Sequence, residues 1–364
     1  MSPRALLALI AAALLALLAA VAVEHAASQR RVPGVAGTRL LPGLESAINA
    51  VSGLQLVGAG ARPLVTLRRT AQGWAVAQTD APADPARVRG YLLRLARARV
   101  IAGKTRDPSL YAAIGVATIR DAGAGAGGVE LRLHGITPWP ALLIGRYDSR
   151  LDGTFVRPAG SAESLLVAGD LTPPRVPAAW MPHPLLSIAS DAVQALAVSD
   201  AGGASYVLDR DAAGRLMVRH APPGVQAAAR RDLVAGVLDG IDYTAVEPLM
   251  TPPADALRAR VELRNGIIIA LHVWRPTRAA AHARGVLTVQ APRGAAPALM
   301  TRTAAFAAWL QGRTWVLAPG TWSLLSGSLQ PGMPMPAPAA SAAAPAAAAS
   351  SAATPSMISD GGRG

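Results

Sequence analysis

The stretch Ala50–Val57, AVSGLQLV, returns at Ala192–Ser199 as AVQALAVS, and whether these are one element used twice decides how the chain folds. Val51, Leu54 and Leu56 pair with Val193, Leu196 and Val198, as the inward face of a strand would. Outward from this pair, Leu67, Arg69 and Gly73 match Leu208, Arg210 and Gly214. VELRLHG from Val129 answers VELRNG from Val261, and ALLIGR from Ala141 answers ALHVWR from Ala270. Matches that keep the same order read as an internal repeat with loops of unequal length.

The local patterns give each copy a shape. Leu54–Leu56, Leu64–Arg68 and Trp74–Val76 are short alternating runs between Gly-rich breaks, which predicts a strand meander. Asp84-Pro85 fits an N-cap with proline at the first helical position, and the spacing predicts a helix to about Arg99. Val88, Leu92 and Leu95, with Tyr91 beside them, share its inward face; Arg87, Arg94 and Arg97 share the outward one. Strands are expected next at Val129–Leu133, Ala141–Arg146 and Thr154–Arg157. The second copy offers a helix near Val225–Leu238, with Leu233, Val234 and Val237 inward, then strands at Val261–Leu263, Ile267–Trp274 and Val286–Val289. The expectation is α+β: two tandem related domains, each an antiparallel meander with one main helix and further strands.

The ends are different material. Ala5–Val23 is 19 residues without a charge, and as a helix at ~1.5 Å per residue it would match a bilayer's hydrocarbon thickness. Arg4 on one side and Glu24 on the other orient it with the N-terminus in the cytoplasm and the body exported. The length favours an uncleaved transmembrane helix, while Ala20-Val21-Ala22 also fits a signal-peptidase site. From Pro331 the chain is Ala-, Pro- and Ser-rich without apolar periodicity, the composition of a disordered tail. The expected division is a membrane anchor at 1–30, a first domain at 40–180, a second at 181–330 and the tail at 331–364.

Composition excludes several chemistries. There is no cysteine, hence no disulfide, thiol nucleophile or cysteine zinc site. The net charge of +13 is almost wholly arginine, but the arginines are scattered and aromatics are 4%, which is a poor nucleic-acid surface. Scattered arginine reads as solvated surface, with contact to anionic lipid or another acidic surface as the second reading.

The motifs that suggest a site fail on context. Gly103-Lys104-Thr105 resembles the end of a P-loop, but Ala98 stands where the first glycine should be, inside the expected helix. Gly103 is read as that helix's stop, Asp107 as the cap of a short turn, and Leu110, Tyr111 and Ile114 as its inward face up to Gly115. Gly123, Gly125 and Gly128 fit G-x-G-x-x-G but precede a strand rather than a helix. His25, His134, His183, His220, His272 and His282 show no metal-ligand spacing. Asp148 and Asp152 read as a hairpin with Asp152-Gly153 as its turn. Trp309, Trp315 and Trp322 crowd the region Phe306–Leu325, either closing the second sheet or presenting a patch. No catalytic, cofactor-binding or metal-binding residue is assigned, and no cofactor is expected.

Five segments together resemble a bacterial domain-of-unknown-function family, family 4340. They are LLPGLESAINAVSGLQLV, VTLRRTAQGWAV, PADPARVRGYLLRLARARV, KTRDPSLYAAIGV and GTFVRPAGSAESLLVAGDL, with Trp180 following. The resemblance implies a membrane helix, an exported body and genes beside ABC-type export permeases, including the gliding-motility type. It carries no catalytic residues. The expected protein is therefore a single-pass inner-membrane protein, held in the bilayer by residues 5–23, with a periplasmic body. Its expected role is a non-enzymatic auxiliary or scaffold subunit of an ABC-type export system, with envelope glycan or anionic-lipid binding as the alternative.

Overall fold

A computed structural model of the chain describes residues 36–120, 128–135, 139–225, 227–277 and 282–330. The anchor at 5–23 and the tail at 331–364 lie outside the described residues. Among the described residues no helix is long and apolar enough to cross a membrane. The chain divides into two compact units, the first built to Gln78 and over Pro85–Arg175, the second from Val176 onward together with Thr79–Asp84.

In the first unit a one-turn 3-10 helix, Ile48–Ala50, leads into β1 (Val51–Gly58), followed by β2 (Arg62–Thr70) and β3 (Gly73–Val76). Helix α1 (Pro85–Arg97) crosses to the edge strand β4 (Val100–Gly103), and β5 (Val129–Gly135), β6 (Leu142–Asp148), β7 (Gly153–Pro158) and β8 (Leu165–Ala168) complete the sheet. Strands of four residues or more lie in the order β3-β2-β1-β5-β6-β7-β8-β4, each antiparallel to its neighbours. Val88, Tyr91, Leu92 and Leu95 bury the inward stripe of α1, each large side chain contributing on the order of 2 kcal/mol by leaving water. Tyr91 Oη donates to the Leu171 carbonyl at 3.1 Å, and burial pushes its phenol far above the ordinary value against the pull of Arg94.

The second unit repeats this plan. The 3-10 turn Ser190–Ala192 precedes β9 (Val193–Ser199), β10 (Ser205–Arg210) and β11 (Leu216–His220). Then come α2 (Ala227–Gly236), β12 (Tyr243–Pro248), β13 (Leu257–Leu263), β14 (Ile268–Trp274) and β15 (Arg284–Gln290). Helix α3 (Pro297–Leu310), β16 (Arg313–Leu317) and α4 (Thr321–Gly327) finish it. The sheet order is β11-β10-β9-β13-β14-β15-β16-β12, the first unit's order strand for strand. β13 alternates buried and exposed over its whole length, as a half-buried antiparallel strand should.

Register establishes the correspondence residue by residue. Leu54 lies between Leu67 and Leu133; Leu196 lies between Leu208 and Val261. The β1–β5 ladder slips between Val51 and Gly53, and the β9–β13 ladder slips between Val193 and Ala195. The edge pairs slip at matching places too, between Val100 and Ala102 and between Tyr243 and Ala245. A β-bulge kinks its strand, so paired bulges at paired positions are the same strand path used twice.

Several sequence expectations need correction. The VELR match is four residues out of register: Val261 stands where Leu133 stands, and Val129 corresponds to Leu257. A slip of an even number of residues keeps the same faces inward, so the apolar pattern cannot reveal it. The ALLIGR match is in register, with Ile144 opposite Val129 and Val273 opposite Leu257. Helix α1 stops at Arg97, and Gly103 ends strand β4 instead of stopping the helix. Leu110 is 49% exposed rather than inward. The second unit carries the longer α3 as well as α2, so one main helix per copy describes only the first. Val234 of α2 is buried, while the side chains of Leu233 and Val237 lie outside the described residues.

Candidate functional site

The two units differ most between their edge strand and the strand beside β1 or β9. The second unit makes this connection with residues 249–256, the first with residues 104–128. The described part of that longer segment, 104–120, folds into a cap on one face of the first sheet. Asp107 Oδ1 accepts from Ser109 N at 2.9 Å and Ser109 Oγ at 2.8 Å, which opens a 3-10 turn at Pro108 and holds the carboxyl below its usual range. Tyr111–Ile114 adds one helical turn, ended by Gly115 at φ 76°. Val57, Tyr111, Val116, Ile119 and Leu143 then form a small core between cap and sheet.

Under the cap lies Arg157, 5% exposed. Its Nε donates to the Val116 carbonyl at 2.9 Å, Nη1 to Ser161 O at 2.8 Å and Nη2 to Thr118 Oγ1 at 3.2 Å. The guanidinium lies 4.4 Å from the centre of the Tyr111 ring. The Tyr111 hydroxyl donates to the Ala162 carbonyl, with the Arg106 carbonyl a second acceptor at 3.2 Å. Two glycines let the cap approach: a Cβ on Gly128 would collide with the Gly115 carbonyl, and one on Gly145 with the Ile114 carbonyl.

Beside the cap is a cleft of about 380 Å³, lined by Gln55, Val57, Thr118, Arg120, Glu130 and Arg132 among others. Glu130 is 8% exposed and Oε1 accepts from Arg132 Nε at 2.6 Å. Register explains the convergence, since β1 pairs Gln55 with Arg132 and Val57 with Glu130. The guanidinium fixes the orientation of the carboxylate in the cleft. Arg120 lines the same cleft.

The second unit has its own polar cluster. His183 Nδ1 lies 2.5 Å from Asp242 Oδ1 and Nε2 lies 2.9 Å from the Ala178 carbonyl. The Ala178 carbonyl can only accept, so Nε2 carries a proton and donates to it. The ring stacks on Tyr243 at 4.4 Å, Tyr243 meets Trp315 edge-on, and Trp315 meets Trp309. Trp315, fully buried on β16, closes the sheet between β15 and β12. Nothing in the spacing of His183 and Asp242 announced this pair, because it needs the loop before β9 laid beside the entry to β12.

The other singled-out residues do not gather. Lys104 follows β4 and its backbone N–H donates to Ser164 O at 2.7 Å. Gly123 and Gly125, and His25, lie outside the described residues. His134 and His220 are exposed at strand ends, while His272 sits on β14 across from Arg258. Among the described residues no three His, Asp or Glu side chains group as a metal site requires. Asp148 Oδ1 accepts from Arg150 N at 2.9 Å, and Asp152 itself takes the left-handed conformation of the β6–β7 turn at φ 43°. Gly153 is needed instead for space, because a Cβ there would press on the Leu166 side chain at 2.8 Å. Nor is arginine all solvated surface: Arg157 and Arg210 hold backbone carbonyls, and Arg284 pairs with Glu247 at 2.8 and 3.2 Å.

Residues 74–252 match the family model described as Domain of unknown function (DUF4340), which supports the resemblance of the chain to that family. The match contains the whole cap and its arginine. No curated protein and no solved structure matches the chain.

Proposed function

We propose that the protein is a membrane-tethered, non-enzymatic scaffold of the bacterial envelope, serving as an auxiliary subunit of an ABC-type export system. One observation carries the reading: the charged side chains that hold the cap and the first turn of each unit are spent on the protein's own backbone. Arg157 reaches two carbonyls and Arg210 three, the use of arginine that stiffens a framework. The apolar leader supplies the tether, and the family resemblance supplies the export permease as partner. The test is purification of the tagged full chain in mild detergent, followed by identification of what accompanies it. Permease subunits at a fixed ratio are the expected result; recovery with no transporter component overturns the assignment. A second reading, contact with anionic lipid, is favoured by the outward face of α1.

A further inference from the structure

The helix α1 reads PARVRGYLLRLAR, four arginines without one carboxylate. Its inward stripe is buried, and Arg87, Arg89, Arg94 and Arg97 are all exposed on the remaining surface. Carboxylates flank this face: Glu45 is held by Arg39 at 2.8 Å and by Arg97 at 3.2 Å, Asp84 precedes the first turn, and Asp170 lies close enough to act on Tyr91. Arg99 continues the basic surface beyond the helix end and donates to the Gly37 carbonyl at 2.9 Å. The corresponding helix α2 does not repeat the pattern, since its Arg231 is paired with Asp232 at 2.9 Å.

The chain enters the first unit beside this face. Leu40 N–H donates to the Ala98 carbonyl at 2.9 Å and Val100 N–H to the Thr38 carbonyl at 2.9 Å, so the first unit is entered beside the arginine-rich end of α1. Residues 24–36 separate that entry from the apolar run ending at Val23, a reach of at most roughly 45 Å even fully extended. We propose that the arginine face of α1 rests on the headgroups of anionic phospholipid in the membrane that the leader enters. This rests on the lipid reading given above and names its surface. The chemistry is complementary: guanidiniums form paired hydrogen bonds with phosphate oxygens, and a tether keeps the local lipid concentration high. Arg89, Arg94 and Arg97 carry the contact, and Arg87 flanks it.

The absence of cysteine makes the test direct. Gly90 lies on the outward face between these arginines, where a Cβ meets only Arg94 Nη1 at 3.9 Å. The full chain carrying Gly90→Cys, labelled with a polarity-sensitive fluorophore, is reconstituted in lipid nanodiscs of neutral phosphatidylcholine or with about a third phosphatidylglycerol. Shielding of the label from a water-soluble quencher is expected in the anionic discs alone. That shielding should vanish at about 0.5 M salt, where screening shortens to a few ångströms, and in the triple variant Arg89→Glu, Arg94→Glu, Arg97→Glu. Loss of each arginine should weaken the contact about fivefold, and reversal to glutamate by more than that. The salt arm needs no variant, so it stands even if the triple variant misfolds. Equal quenching in both discs overturns the proposal, as does shielding that is indifferent to salt or that requires added wall material. A chain that does not float with discs of either composition fails at the tether, which is a separate result and removes the proposal with it.

Discussion

Arg69 and Arg210 stand at the same position of the two sheets and reach back to the same turn. Arg69 Nη1 donates to the Asn49 carbonyl at 2.6 Å, and Arg210 Nη2 donates to the Ser190 carbonyl at 2.5 Å. Each acceptor lies in the 3-10 turn that leads into the central strand. Arg210 adds bonds from Nε to Val193 O and from Nη1 to Gly214 O, whereas Arg69 lies over the Trp74 ring. Arg210→Met should therefore destabilise by about 2–3 kcal/mol and Arg69→Met by about 1 kcal/mol. Urea unfolding of the two variants measures the order, and equal losses would contradict it.

Arg157→Met should release the cap while leaving the first sheet folded. It removes donors from the Val116 and Ser161 carbonyls beneath an apolar lid, a loss of about 2–4 kcal/mol. Trypsin reports the opening through Lys104, Arg106 and Arg120, all on the cap. Cleavage there should accelerate in the variant before any cut within β5–β8, and an unchanged cleavage pattern would show that the arginine does not hold the cap.

Glycine replacements should act with opposite signs. Gly128→Ala drives a methyl group into the Gly115 carbonyl, so it should cost more than about 2 kcal/mol or shift the cap. Gly90→Ala places the same methyl at ordinary contact distance, 3.9 Å, from Arg94 Nη1 on α1, where the helix gains about 0.5–1 kcal/mol from alanine. Thermal melts of the pair distinguish packing from backbone freedom.

His272 is held below the ordinary histidine value, first by burial on β14 and second by Arg258 across the ladder. The folded ring stays neutral while the unfolded chain already binds a proton, so its contribution favours folding above the ordinary value and fades as pH falls through it. Titration of the ring by NMR should give a midpoint below the ordinary histidine value, and Arg258→Gln should raise it.

The repeat was legible because the inward positions of β1 and β9 stayed apolar: Leu54 and Leu196 are both fully buried. The helix was legible because Pro85 opens α1 and its inward stripe holds the 3.6-residue period. Strand β4 was not, since Val100–Gly103 is four residues continuous in composition with the helix before it. The cap could be read as a capped turn from Asp107 to Gly115 but not as a lid, because its counterparts Val57 and Leu143 come from distant strands. Arg157 shows why the site was hidden: a lone arginine in a strand looks like solvent surface until the chain folds over it. The His183–Asp242 pair is hidden for the same reason, being made wholly by tertiary contact.

The bulges have a historical consequence. A ladder slip after Val51 recurs after Val193, and one after Val100 recurs after Tyr243. Kinks at equivalent positions are what two copies of one sheet would inherit together. The segment over Arg157 belongs to one unit and the helix Pro297–Leu310 to the other, so each unit wears its own addition on a shared frame.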